Sequence, residues 1–108
     1  MIKVTINPKT RENLYGLMVQ KEVSLRKRNL ATLHRSVKKK QGEDKWTHIT
    51  YNGWIRFQKG LGGVVVAIVQ AINPDQEWQL LSSLIGFLDR YFRDSIGNIN
   101  IGYETIED

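Results

Sequence analysis

The chain has no cysteine in its 108 residues. Disulfide scaffolds, thiolate metal sites, iron–sulfur clusters and cysteine nucleophiles are thereby excluded together, and a reducing compartment fits. Proline is nearly as scarce, at two residues, and the 41% hydrophobic content is ordinary for a folded domain and wrong for a disordered chain. Long apolar runs are missing too. The longest, Val64 to Val69, falls far short of the ~20 residues that a membrane span requires. No basic head followed by a long apolar segment and a small-residue cleavage site stands near the start, so a secretory signal is not expected. These absences leave the expectation of a soluble, cytoplasmic domain covering residues 1–108, with no membrane partner. A chain of this length buries roughly two-thirds of its unfolded surface, enough to fold without a metal or a cross-link.

Acidic residues are scarce in one half only. Residues 1–60 carry 14 basic and 4 acidic side chains, a balance of +10, whereas residues 61–108 carry 2 basic and 7 acidic ones, a balance of −5. The net charge of +5 is what remains. Such asymmetry points to nucleic acid or another anionic surface. Its densest stretch holds Arg26, Lys27, Arg28, Arg35, Lys38, Lys39, Lys40 and Lys45, opposed only by Glu43 and Asp44. An acidic second half could equally be the counter-surface of the basic first half, within the fold or between two copies.

Periodicity supplies the elements. Ile2 to Ile6 alternates apolar with polar residues and predicts a strand ended by Asn7-Pro8. Thr10 could cap a helix with Leu14, Leu17, Met18 and Lys21 on one face, although Tyr15, Leu17, Val19, Lys21 and Val23 also alternate as a strand would. Helix is preferred here, despite the ~1 kcal/mol that Gly16 costs it. Ser24 to Lys40 also reads as helix, on Leu30, Leu33 and Val37, with lysines in its last turn and Gly42 beyond. Against it, Arg26, Lys27 and Arg28 would crowd cations into the first turn, where the helix dipole disfavours them. The strand alternative puts Ala31, Leu33 and Val37 on one side.

Lys45 to Tyr51 and Trp54 to Gln58 are rich in aromatic and β-branched residues, and the pair between them is Asn52-Gly53. Asn-Gly favours a two-residue type I′ turn, so a tight hairpin is predicted with Tyr51 facing Trp54, Ile49 facing Arg56 and His48 facing Phe57. Val64 to Ile72 reads as a central strand covered on both faces. Asn73-Pro74-Asp75-Gln76-Glu77 then carries an Asn cap, Pro at the first helical position and acids in the first turn. The helix it opens has Trp78, Leu81, Leu84, Ile85, Leu88, Tyr91 and Phe92 on one face and runs to Ile96, and Ile99, Ile101 and Tyr103 form a last strand. The fold class expected is α+β: one small domain with an antiparallel or mixed sheet and the long C-terminal-half helix packed on one face. If 46–58 is one kinked strand, the order is the βαββαβ pattern of the ferredoxin-like superfold; with the hairpin it is a five-stranded variant.

Catalytic chemistry finds little support. His34 and His48 have no metal-ligand spacing with each other or with a carboxylate motif. Asp75 and Glu77 sit where a helix N-terminus wants acids, and Asp89 and Asp94 neighbour Arg90 and Arg93. Gly60-Leu61-Gly62-Gly63 opens a strand rather than a helix and lacks a Gly-Lys-Ser/Thr ending, so it reads as a turn between strands. No enzyme, cofactor or metal is expected.

Binding is better supported. Lysines and arginines neutralise phosphates with release of counterions, and exposed aromatics on a sheet stack single-stranded bases. The candidate nucleic-acid-binding set is Arg26, Lys27, Arg28, Arg35, Lys38, Lys39, Lys40, Lys45, Trp46, Tyr51, Trp54 and Arg56, with RNA or DNA as partner. The plainer reading makes the aromatics core and the lysines a solvated face. The central strand has no aromatic and no Lys/Arg-Gly-Phe/Tyr signature, so a standard RNA-recognition motif is not expected. The alternative function is a protein-interaction module using the sheet face: a homodimer, regulator, immunity-like inhibitor or complex subunit.

Overall fold

Alternation at the start of the chain becomes a strand, β1 (Ile2–Pro8), with Ile2, Val4 and Ile6 buried and Lys3 and Thr5 on the other side. The structure, a computed structural model, describes residues 1–36 and 44–104.

The first helix, α1 (Leu14–Lys27), is capped by Asn13 rather than Thr10: its side-chain oxygen accepts from the Gly16 N–H at 3.1 Å. Leu14, Tyr15, Met18, Glu22 and Leu25 form its buried face, and Leu17 is partly exposed. Burial of Glu22 is accompanied by Arg26, whose Nε lies 3.1 Å from the carboxylate one turn on.

The helical expectation for 24–40 is corrected beyond Lys27, while its last four residues, 37–40, lie outside the described residues. The chain leaves the helix at Asn29, whose φ of 56° is left-handed, and the Asn29 and Leu30 N–H groups close on the carbonyls of Arg26 and Leu25. Arg26 and Lys27 therefore occupy a last turn, where the dipole favours cations, instead of a first turn, where it does not. A short strand, β2 (Leu33–Arg35), follows.

β3 (Asp44–His48) and β4 (Trp54–Lys59) form the expected hairpin in a different register: Asp44 opposes Phe57, Lys45 opposes Arg56 and Trp46 opposes Ile55. A two-residue turn at Asn52-Gly53 would have set Trp46 against Lys59 at the strand's end. The longer loop instead places Trp46 in the core, between Tyr15, Phe57 and Phe87. His48 holds that loop, its Nδ1 accepting from the Thr50 and Tyr51 N–H groups at 2.9 and 3.3 Å. Gly60 to Gly63 is a turn between strands, and β5 (Val65–Gln70) follows it.

α2 (Pro74–Phe92) starts as its sequence predicts, with the Asn73 side chain accepting from the Asp75 N–H at 2.9 Å. It ends at Phe92 rather than Ile96, in a 3₁₀ turn over 93–95, and β6 (Ile96–Tyr103) takes up the Gly97-Asn98 pair expected to terminate the helix.

The architecture is α+β, a six-stranded antiparallel sheet in the order β2-β3-β4-β5-β1-β6. β5 is central, as expected, and β5 and β6 run parallel with β1 between them. This order does not confirm the ferredoxin-like expectation, and β2 raises the strand count above five.

Both helices lie on one face. Leu14, Tyr15 and Met18 of α1 and Leu80, Leu81, Leu84 and Leu88 of α2 share one apolar cluster with inward residues of the strands. Lys21 of α1 stands 4.6 Å over the ring of Tyr91 of α2, so the helices are neighbours in a single layer. The expectation that β5 is covered twice is thereby corrected: Val65, Ala67 and Val69 are fully buried, whereas Val66 and Ile68 on the opposite face are only half-buried. Among the described residues no helix is long and apolar enough to cross a membrane.

Candidate nucleic-acid interface

The uncovered face of the sheet is built by strand alternation and register. Lys45 on β3 lies directly opposite Arg56 on β4, Arg56 opposite Ile68 on β5, and Ile68 opposite Lys3 on β1. These four side chains form one row across four strands, about 14 Å from end to end at the usual strand spacing. Like charges directly opposite each other, as Lys45 and Arg56 are, cost a sheet stability. Trp54 offsets part of that: the Lys45 ammonium is 5.3 Å and the Arg56 guanidinium 5.6 Å from its ring centroid, within cation–π range. The indole N–H donates to the Gln70 side-chain oxygen across the strand at 3.2 Å, which fixes one edge of the half-buried ring.

Around this row the described strand positions are mostly polar, with Val66 beside Ile68 on β5. Thr5, Asn7, Thr47, Gln58, Asn98 and Asn100 surround it, and Asn7 donates to Asn98 at 2.8 Å. Among the described residues, no acidic side chain occupies a strand position of this face. Asp44, the acid on β3, points to the helical side, where its Oδ2 accepts from Arg35 at 2.9 and 3.1 Å and from the Tyr15 hydroxyl at 2.6 Å. Burial, with Asp44 as acceptor, holds the Tyr15 hydroxyl well above the ordinary phenol range. Asp75 and Glu77 belong to α2, and Glu77 takes the Met1 ammonium at 3.0 Å.

The structure thus gathers Lys45, Trp54 and Arg56 and places the other described members of the set expected from sequence elsewhere. Trp46 is corrected outright: fully buried, with its indole N–H on the Tyr15 hydroxyl at 3.0 Å, it offers no surface to a ligand. Arg35 is on the helical side with Asp44. Arg26, Lys27 and Arg28 sit at the end of α1, in the helical layer rather than on the open face. Tyr51 is half-buried and stacks on His48 with centroids 4.5 Å apart. Lys38, Lys39 and Lys40 lie outside the described residues.

Lys3 is the residue the sequence reading passed over. Its signal was present in the alternation of Ile2 to Ile6, which puts Lys3 and Thr5 together on the side away from the core. Among the described residues no three of His, Asp and Glu come together as a metal site. No protein-family model, curated protein or solved structure matches the chain.

Proposed function

We propose that the chain is a non-enzymatic nucleic-acid-binding domain that takes a single strand across the open face of its sheet. The observation that carries this is the transverse row of Lys45, Arg56 and Lys3 beside the Trp54 ring, on a face without an acidic strand residue among the described residues. Cations on neighbouring strands would contact phosphates, and the indole beside them would supply the ring on which a base stacks. Both helices pack on the other side of the sheet, so the open face presents no helix to a duplex groove, which favours single strands over double ones.

Titration of a labelled single-stranded oligonucleotide at increasing salt tests the reading. Affinity that falls steeply with salt, and that is lost when Lys3 and Lys45 become Gln, supports it; salt-independent or absent binding refutes it.

A protein partner on the same face is the second reading, favoured by half-buried Val66 and Ile68, neighbours along β5 in the middle of that face. It predicts an acidic partner that oligonucleotides do not displace.

A further inference from the structure

The last strand of the sheet is an open template. β6 pairs with β1 on one side and with nothing described on the other, and its eight residues, Ile96 to Tyr103, include no charge and no proline. Exposed edges are usually blunted by lysine, proline or shortness, and the opposite edge, β2, has only three residues. Beside β6 runs a groove of about 720 Å³ against α2, lined by Trp78, Ile85, Ile99 and Ile101 among others. Trp78 is 59%, Ile101 44% and Tyr103 71% exposed, a concentration of apolar surface where the sheet stops.

We propose that two copies of this chain join edge to edge through β6, antiparallel about a two-fold axis, into a continuous twelve-stranded sheet. Alternation along the strand restricts the register. Residues that pair across such an axis must share a face, so the axis passes through a residue rather than between two. Centred on Asn100, the register that brings the exposed Tyr103 against the partner strand at its Gly97 bulge, it sets Ile99 against the partner's Ile101 and Asn98 against Gly102, so the isoleucines meet each other. Charge agrees. The strand itself carries none, Asp89 and Arg93 beside the groove already pair at 2.7 Å, and the axis brings the Glu104 end of one copy towards the Arg93 end of the other. An extended segment of a different protein is the competing occupant, and it has no reason to match the Asn100-centred pattern. This dimer is independent of ligand on the open face, which it would extend across both copies.

The absence of cysteine makes the test direct. An Asn100→Cys variant places one thiol of each copy on the axis, within disulfide reach, and mild oxidation is expected to cross-link it rapidly, while Gln20→Cys on exposed α1 stays monomeric. Sedimentation of the unmodified chain should give twice 12.5 kDa with dissociation on dilution. Ile101→Lys and the more exposed Tyr103→Lys should each run as folded monomers by circular dichroism. A wild-type monomer at high micromolar concentration, a dimer unaffected by both lysines, or cross-linking at Gln20→Cys as fast as at Asn100→Cys would overturn the proposal.

Discussion

The ammonium of Lys45 stands 5.3 Å from the centroid of the Trp54 ring, and Arg56 approaches the same ring to 5.6 Å. Charge and aromatic surface on the open face are therefore one unit, and their contributions to binding separate by their salt dependence. Replacing Lys45 or Lys3 by Gln should weaken binding to all single-stranded sequences alike and reduce the slope of log affinity against log salt by about 0.7 each. Trp54→Ala should cost roughly 1–3 kcal/mol with the slope nearly unchanged, because stacking releases no counterion. Anisotropy titrations at several salt concentrations check both, and a Trp54→Ala protein that binds as well as wild type removes the indole from the site.

Tyr15 is a structural counterpart to that unit. Its hydroxyl donates to Asp44 at 2.6 Å and accepts from the buried Trp46 indole at 3.0 Å. Tyr15→Phe leaves both partners short of a hydrogen bond, and urea unfolding should show a loss of about 1–3 kcal/mol. Oligonucleotide affinity of the folded variant should not change, since none of these groups lies on the open face.

Acid should loosen the β3–β4 loop. His48 Nδ1 accepts two backbone N–H groups, so a proton on that nitrogen breaks both. Desolvation, with a smaller effect of His34, lowers the His48 pKa below its ordinary value. The unfolded chain then binds the proton more readily than the folded one, and stability falls as pH drops through about 6.5 and levels off below the folded value. Urea midpoints between pH 7.5 and 5 should show this decline, and His48→Asn should flatten it; an equal decline in the variant would assign the effect elsewhere.

Two glycines with positive φ should respond differently to alanine. At Gly53, φ is +115° and a Cβ would come within 2.4 Å of the Gln70 carbonyl oxygen and 2.8 Å of a Leu80 methyl. At Gly62, φ is +69° and nothing lies within 4 Å. Gly62→Ala should cost roughly 1 kcal/mol from backbone strain alone, and Gly53→Ala several times more, by thermal or urea denaturation.

How legible these features were depended on whether they were local. α2 could be placed from Asn73, Pro74 and its acidic first turn, because caps act over four residues. β1 and β5 followed from alternation and from a β-branched run. The end of α1 was encoded too, in Asn29 and in cations that suit a last turn, but three positive charges in sequence do not say which end of a helix they occupy. The hairpin register was misread because Asn52-Gly53 speaks only for the turn, whereas burial of Trp46 opposite Ile55 is decided by the whole core. For the same reason Trp46 and Trp54 looked alike in sequence: which face of a strand is wet depends on where both helices pack. Lys3 joined Lys45 and Arg56 only through register across β5, a relationship between residues more than forty positions apart.

The central claim is that the open face of the sheet binds a single nucleic-acid strand. Its most direct measurement is fluorescence anisotropy of a labelled single-stranded oligonucleotide against the wild-type chain and the Lys3→Gln, Lys45→Gln, Trp54→Ala triple variant, from low to moderate salt. Wild-type binding should weaken steeply with salt, and the folded triple variant should lose most of its affinity and most of that salt dependence. Equal binding by the two proteins, or none by the wild type at low salt, would contradict it.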